Sequence, residues 1–142
     1  MFEMAHALYN YDGPCRNIHG HSYKLWVTLI GKPLLEENHP KDGMVIDFSD
    51  IKSAVKKEIL DHFDHALVLS QANDELVTKL LNKQFDKIHV FPYQPSCENL
   101  LIEFKNRLDK VFTGSHKLIS LKLEETSSSW AEWNLYDNCE AK

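Results

Sequence analysis

Strict alternation between apolar and polar residues near the start of the chain predicts two strands. In the segment FEMAHALY, every second residue falls on one face: Phe2, Met4, His6 and Leu8. Alternation resumes from His19 to Ile30, where one face carries a longer row: His19, His21, Tyr23, Leu25, Val27 and Leu29. A turn containing Asp12-Gly13-Pro14 separates the two stretches. The pattern therefore predicts a β-hairpin whose apolar rows contain histidines.

Helical periodicity follows in the middle of the chain. The segment IKSAVKKEILDHF carries apolar residues at helical intervals, after Ser49 or Asp50 as the N-cap: Ile51, Val55, Ile59 and Phe63. Residues 73–82 predict a second, shorter helix, and IHVFPY predicts a brief extended segment. Ser96 is the expected N-cap of a further helix, CENLLIEFKNRLDKVF, with an apolar stripe: Leu100, Phe104, Leu108 and Val111.

A second hairpin is predicted near the end of the chain, where LISLKLEE and WAEWNLY flank a polar turn at residues 126–129. One face of the first strand carries an apolar row that ends in a carboxylate: Ile119, Leu121, Leu123 and Glu125. The order of hairpin, helices and hairpin indicates an α+β fold, an antiparallel sheet with helices on one face. The 142 residues are the length of one domain, spanning residues 1–142.

Composition narrows the class of protein. The net charge of −5 comes without a dense Lys/Arg patch, so we expect no nucleic-acid partner. No apolar run reaches membrane-spanning length, and no signal-peptide pattern is present. Three cysteines without disulfide-scaffold density favour a cytoplasmic location. Eight histidines are many for 142 residues, and they point to metal binding or acid–base chemistry.

Three of these histidines can meet at one point. His19 and His21 lie two residues apart on a strand, so their side chains point the same way. His6 lies on the apolar face of the neighbouring strand. A single histidine on an apolar face is more often a core residue than a ligand, but three with a shared meeting point favour a metal site. Three imidazoles around an open position are what catalytic zinc requires.

Cys15, upstream of this pair, has three possible roles. It could be a fourth ligand that closes a structural zinc site, a catalytic base, or a small buried apolar side chain. A thiol beside a cation has a lowered pKa and can act as a base near neutral pH. Spacing alone ranks ligand and base equally. A zinc hydrolase would instead need a carboxylate base near the metal, and no HExxH motif supplies one.

Two further groups of residues could carry acid–base or binding chemistry. The segment DHFDH contains two Asp-His pairs, Asp61/His62 and Asp64/His65, either of which could form an orienting relay or a solvated helix end. Glu125 continues a buried row, where a carboxylate is costly unless donors reach it. A guanidine-like edge of a ligand would provide such donors. Alternatively, the strand ends earlier and Glu125 reaches water.

Six segments, in order along nearly the whole chain, resemble the 6-pyruvoyl-tetrahydropterin synthase family, which includes the bacterial 6-carboxy-tetrahydropterin synthases: FEMAH, CRNIHGHSY, MVIDFSDIK, FDHALVL, PSCENL and LEETSSSWAEW. The resemblance implies a tunnelling fold, a four-stranded antiparallel sheet with two main helices on one face. It also implies assembly into trimers or dimers of trimers, in which the strands form a barrel and active sites lie between subunits.

The same resemblance implies roles for individual residues. The zinc ligands would be His6, His19 and His21. Cys15 would be the catalytic base, and Asp64 with His65 the relay, preferred over Asp61 and His62 because ALVL follows. Glu125 would bind the 2-amino and N3 edge of the pterin. The segment lining the pterin pocket of the neighbouring subunit would be Ser96, Cys97 and Glu98. The basic candidates for the triphosphate are Arg16, Lys24 and Lys41.

The activity implied by the resemblance is a zinc-dependent lyase reaction on 7,8-dihydroneopterin triphosphate. Only three residues separate Cys15 from His19, as in the carboxy branch, which releases triphosphate and acetaldehyde on the route to queuosine-type nucleosides. The alternatives are a 6-pyruvoyl-tetrahydropterin synthase and a non-catalytic, zinc-stabilised pterin-binding oligomer. Two departures are visible: family members usually carry several residues before FEMAH, which indicates a truncated start, and residues 70–93 match no family hallmark.

Overall fold

One mixed sheet organises the chain in a computed structural model, which describes residues 1–73 and 75–137, without the side chain of Leu76. Within these residues six strands lie in the order β4-β3-β1-β2-β5-β6. The strands are β1 (Phe2–His6), β2 (His19–Gly31), β3 (Ala66–Ser70), β4 (Ile88–Phe91), β5 (His116–Thr126) and β6 (Ser129–Asn134). The helices are α1 (Phe48–Val55), α2 (Asp61–Phe63), α3 (Glu75–Asn82) and α4 (Cys97–Leu108), and a π-helical stretch, Lys56–Leu60, joins α1 to α2.

Both predicted hairpins are confirmed. Strands β1 and β2 pair antiparallel with His6 opposite His19, and β5 pairs antiparallel with β6. Strand β2 also pairs antiparallel with β5, which joins the two hairpins in one sheet. The alternation in β1 appears as burial, because Phe2 and Met4 are buried while Glu3 between them is exposed.

The prediction of a four-stranded antiparallel sheet is wrong, because the described residues form a mixed sheet of six strands. The prediction of two main helices is also wrong, because three of the described helices are longer than one turn: α1, α3 and α4. Strand β3 pairs in parallel with the outer edge of β1, and β4 pairs in parallel with β3. The extended segment predicted over IHVFPY is confirmed as β4. The parallel pairing of β3 and β4 joins distant segments, which alternation along the chain cannot reveal. The short helix predicted over residues 73–82 is confirmed as α3, although Asp74 lies outside the described residues. Residues 70–93 therefore supply α3 and β4.

The core lies between one face of the sheet and the helices α1, α2 and α4. Phe104 of α4 contacts Phe2 edge-on at 6.0 Å between ring centroids, and Phe63 of α2 at 4.9 Å. All three rings are at least 97% buried. Within the described residues, no helix combines the length and apolar character needed to cross a membrane.

The helix caps agree only in part with expectation. Ser96 is confirmed as the N-cap of α4, since its hydroxyl accepts a hydrogen bond from the Asn99 amide. The N-cap of α1 is Asp47 rather than Ser49 or Asp50, and its carboxylate accepts from the Ser49 amide at 2.8 Å. The helix therefore begins at Phe48, the last residue of the segment MVIDF.

Candidate metal centre and active site

Strand pairing brings the three predicted histidines together at one end of β1 and β2. His6 lies opposite His19 across the antiparallel pair, and His21 follows on the same face. One ring nitrogen of each histidine lies within 4.8 Å of the others. The ring centroids are 4.6 Å apart for His6 and His19 and 5.0 Å for His19 and His21. The convergence expected from the period of two is therefore present.

Backbone carbonyls orient two of the rings. His6 Nδ1 donates to the Pro95 carbonyl at 2.7 Å, and His19 Nδ1 donates to the Asn17 carbonyl at 2.8 Å. Donation at Nδ1 leaves Nε2 as a lone-pair nitrogen, the form that binds metals. Burial is the main cause that lowers the pKa of His6, so this ring is held neutral.

Buried ring nitrogens without a hydrogen-bond partner indicate that a cation fits this site. Nε2 of His19 and Nε2 of His21 are buried and accept no hydrogen bond from any described residue. A buried polar atom without a partner costs about 1–3 kcal/mol. A divalent cation coordinated by these nitrogens would remove that cost, and a donor set of three imidazoles suits zinc.

Glu125 and Tyr23 lie directly beside the cluster. Glu125 Oε1 accepts a hydrogen bond from the Tyr23 hydroxyl at 2.9 Å and lies 3.4 Å from His6 Nε2 and 3.8 Å from His21 Nε2. Burial, followed by the charge of Glu125, raises the pKa of Tyr23, so the phenol stays protonated and remains a donor. Motif spacing offered no carboxylate near the metal, yet the sheet supplies this one from β5. Sequence reasoning gave Tyr23 no role in the site. Its position in the same row as His21 was the signal that could have identified it.

Cys15 stands near the cluster but not in it. It lies in a short 3₁₀ turn, Pro14–Arg16, and its carbonyl accepts from the Leu8 amide at 2.9 Å, which ties the turn to the end of β1. Its thiol is half-buried and free. Among the described residues, the ligand atoms that converge at this site belong to three histidines, and the Cys15 thiol is not one of them. This geometry favours Cys15 as a group beside the metal rather than a ligand.

The two candidate Asp-His pairs differ clearly. His65 Nδ1 lies 3.1 Å from Asp64 Oδ1, whereas Asp61 pairs with Lys56. Asp64 Oδ1 also accepts from the Glu3 amide at 2.9 Å, and this hydrogen bond is the main cause that lowers the pKa of Asp64. His65 has a φ of +60°, in the left-handed region that non-glycine residues rarely adopt. The strained turn and the ion pair single out Asp64 and His65.

A cleft of about 680 Å³ connects His65 to His21 of the histidine cluster. Its lining includes His21, His65 and Lys87, together with apolar side chains such as Ile18 and Phe85. Lys87 Nζ donates to the Asp64 carbonyl at 2.6 Å. Sequence reasoning missed Lys87, because it lies in the uninterpreted residues 70–93 and reaches Asp64 only through the parallel pairing of β3 and β4.

The expected pterin-pocket residues occupy the start of α4. Cys97 Sγ donates to the Leu123 carbonyl at 3.4 Å, and burial, then the charge of Glu125, raises its pKa to about 11. Ser96 caps the helix, while Glu98 is exposed in the first turn. Pro95, just before them, orients His6, so this segment adjoins the cluster but donates no side-chain bond to it.

The basic candidates for an anion differ in their availability. Lys24 pairs with Glu124 at 2.7 Å, and Lys41 pairs with Asp50 at 2.7 Å. Arg16 is exposed in the turn that carries Cys15 and makes no ion pair with any described residue. Arg16 is therefore the candidate left open for a phosphate group.

Comparisons with known proteins point to one family. A family model described as 6-pyruvoyl tetrahydropterin synthase matches residues 1–135. A 6-carboxy-5,6,7,8-tetrahydropterin synthase of Haemophilus influenzae is 40% identical over 134 residues, covering 93% of this chain and 92% of the relative. The protein of the same name from Rickettsia felis is 34% identical over 133 residues, covering 92% and 93%.

Solved structures share the fold at lower identity. An uncharacterized protein from Wolinella succinogenes superposes with a TM-score of 0.73 at 18% identity, covering 94% of this chain and 93% of that one. The 6-pyruvoyl tetrahydropterin synthase of Caenorhabditis elegans superposes with a TM-score of 0.64 at 24% identity, covering 94% and 89%. From the match over residues 1–135 and the 40% identity, we conclude that the chain belongs to the 6-pyruvoyl tetrahydropterin synthase family.

Proposed function

We propose that this chain is a zinc-dependent lyase of the carboxy branch of its family. The substrate would be 7,8-dihydroneopterin triphosphate, converted with one water into 6-carboxy-5,6,7,8-tetrahydropterin, acetaldehyde and triphosphate. The observation that carries the proposal is the convergence of three imidazoles with two unpartnered buried Nε2 atoms. Relatives named 6-carboxy-5,6,7,8-tetrahydropterin synthase, up to 40% identical, support the choice of branch. The product would serve the synthesis of queuosine-type nucleosides.

The metal and the pterin would be held by different groups. Zinc bound by His6, His19 and His21 would polarise hydroxyl groups of the substrate side chain and so acidify the neighbouring C–H and O–H bonds. Glu125 would accept hydrogen bonds from the 2-amino group and N3–H of the pterin, a bidentate contact of the kind that carboxylates make with guanidine-like edges. Its position next to the cluster suits a ligand whose side chain lies at the metal.

Proton movement would fall to residues outside the metal's ligands. The Cys15 thiolate would remove a proton from the substrate side chain, and the His65 imidazole would transfer protons on the cleft side. Asp64 would orient the His65 ring through its 3.1 Å contact with Nδ1. The lowered pKa of Asp64 keeps it ionised for this role.

Assembly completes the proposal. We expect a cytoplasmic homo-oligomer, a trimer or a dimer of trimers, in which Ser96, Cys97 and Glu98 line the pterin pocket of the neighbouring subunit. Arg16 is the local candidate for the triphosphate. The exposed face of Glu98 and the open side of the cleft are compatible with contacts from another copy.

The test is product identification with zinc-loaded protein. Mass spectrometry should detect 6-carboxy-tetrahydropterin, and a trapping reagent should detect acetaldehyde in equal amount. A product that retains the three-carbon side chain would instead assign the pyruvoyl branch. No turnover by protein with bound zinc and an intact assembly would contradict both branches.

A variant of Cys15 separates the enzyme from the non-catalytic alternative. Cys15→Ala should retain zinc and fold but lose turnover if the thiol is the base. Loss of both zinc and folding would instead indicate a structural site closed by a thiolate.

A further inference from the structure

Tyr23 is a buried phenol whose hydroxyl reaches the active-site carboxylate. The side chain is fully buried, lies opposite Phe2 across the β1–β2 pair, and stacks on its ring with centroids 5.5 Å apart. Packing therefore fixes the ring, and the hydroxyl is held 2.9 Å from Glu125 Oε1. It also lies 3.5 Å from His6 Nε2.

Glu125 has an irregular backbone position that aims its side chain at the cluster. Glu124 pairs with Trp130 and Thr126 with Ser129, so Glu125 is the extra residue at a break in the β5–β6 register. Such irregularities redirect side chains and occur often beside active sites. Within the described residues, the hydrogen bond and ion-pair contacts of this carboxylate all use Oε1.

Glu125 Oε1 therefore has two competing partners, the Tyr23 hydroxyl and a cation bound by the histidines. Oε1 lies 3.4 Å and 3.8 Å from the Nε2 atoms of His6 and His21, which would face a bound cation. Carboxylates are good zinc ligands, and a fourth protein ligand converts an open catalytic site into a closed one. A charge-assisted hydrogen bond from a phenol to the same oxygen competes with its coordination to the metal.

We propose that Tyr23 is a positioning residue, which holds Glu125 Oε1 so that the carboxylate faces the pterin and leaves the metal's open position to the substrate. The inference rests on the proposed function, because it assumes that Glu125 binds the pterin. Tyr23 itself contacts neither substrate nor metal. Its hydroxyl acts through Glu125, while its ring contributes to the core like the other residues of its row.

Tyr23→Phe tests this role because it removes the hydroxyl and keeps the stacked ring. The probe is neopterin, a fluorescent pterin without phosphate, titrated into zinc-loaded protein. We expect unchanged zinc content and folding and an affinity lower by about 10-fold or more, the size of a lost hydrogen bond to a charged group. In a Glu125→Ala background, Tyr23→Phe should cause no further loss.

A matched control and a metal probe exclude a general effect of losing a tyrosine hydroxyl. Tyr93 also donates to a carboxylate, Glu103 Oε2 at 3.0 Å, so Tyr93→Phe should leave neopterin affinity unchanged. In cobalt-loaded protein, Tyr23→Phe should alter the visible absorption as Glu125 enters the coordination sphere. Tyr23→Phe combined with Glu125→Ala should restore the wild-type spectrum.

The outcomes separate the inference from the proposed function. Wild-type affinity for Tyr23→Phe, an equal loss in the presence and absence of Glu125, or an unaltered cobalt spectrum overturns the positioning role alone. If the wild type binds no neopterin, or Glu125→Ala binds it equally well, the assignment of Glu125 to the pterin is wrong and the inference falls with it.

Discussion

The two candidate groups of functional histidines in this chain differ in their environments, most clearly between His6 and His65. His6 of the proposed metal centre is 2% exposed, and a backbone carbonyl fixes its ring. His65 of the proposed relay has 78% of its side chain exposed, and it contacts Asp64 in a strained turn. The His6 ring is enclosed, whereas the His65 ring opens to a cleft that His21 also lines.

This difference follows from the chemistry each group would perform. Metal ligands must stay neutral and pre-oriented, and burial beside carbonyls achieves both. A residue that transfers protons must reach the substrate and exchange its proton, so its ring cannot be enclosed. The contrast predicts that variants of the first group change metal binding, while variants of the second change turnover alone.

The largest effect is expected for His6→Ala. Loss of one of three imidazoles should weaken zinc binding by more than about 100-fold, because losing even an outer partner of a ligand costs about 10- to 100-fold. Calorimetric titration of the metal-free protein with zinc measures this loss. His116→Ala is the control, because His116 lies at the end of β5 far from Glu125, and it should bind zinc normally. Normal zinc binding by His6→Ala would contradict the metal centre.

His65→Ala should affect turnover rather than metal. Removing a positioned proton-transfer group lowers the rate by about 10²- to 10⁴-fold. Zinc content should stay at the wild-type value, as measured by mass spectrometry of the metal. His62→Ala is the matched variant in the rival pair and should retain activity, since Asp61 pairs with Lys56 instead. The reverse result would assign the relay to Asp61 and His62.

Lys87→Met should produce a smaller effect on the same region. The variant removes the donor to the Asp64 carbonyl but keeps the Asp64–His65 pair and the contacts with Glu3. A modest displacement of the relay should reduce turnover by about 10-fold, with zinc content unchanged. Lys83→Met, exposed after α3, is the control. Equal activity of both variants would show that Lys87 does not support the relay.

The smallest effect is a pH-dependent contribution of Asp64 to stability. Because its pKa is lowered in the folded chain, the ionised carboxylate stabilises the fold above its ordinary pKa of 3.8. That contribution is lost as the pH falls through the lower folded value. We expect Asp64→Asn to be less stable at pH 7 by about 1 kcal/mol or less, because water screens a side chain that is 42% exposed.

Urea unfolding at pH 7 and at pH 3 measures this difference. The gap between wild type and Asp64→Asn should narrow at the lower pH. A gap of constant size would mean that the ionised form of Asp64 is not favoured by folding.

Sequence patterns could predict the parts of the fold that have a clear period. Alternation predicted β1 and β2 and therefore the meeting of His6 with His19, and helical spacing with Ser96 predicted α4. The extended segment IHVFPY was predicted and forms β4, but β3 and the parallel pairing of β3 and β4 could not be predicted, because that pairing joins distant segments. The contact of Lys87 with Asp64 depends on that pairing and was missed for the same reason.

Within the site, the alternation of side chains predicted the face on which Glu125 lies but not its distance from the histidines. It placed Glu125 in a buried row, yet the register break that brings Oε1 within 3.4 Å of His6 has no sequence signature. The choice of Asp64 over Asp61 came from a resemblance, since both pairs have the same letters. The ion pair of Lys56 with Asp61, which distinguishes the two Asp-His pairs, is visible only in the structure.

X-ray absorption at the zinc edge of the purified, zinc-loaded protein tests the central claim most directly. The account predicts one zinc per chain with imidazole nitrogens at about 2.0 Å, light atoms only, and no sulfur. A sulfur shell at about 2.3 Å, from Cys15 closing the site, would contradict it.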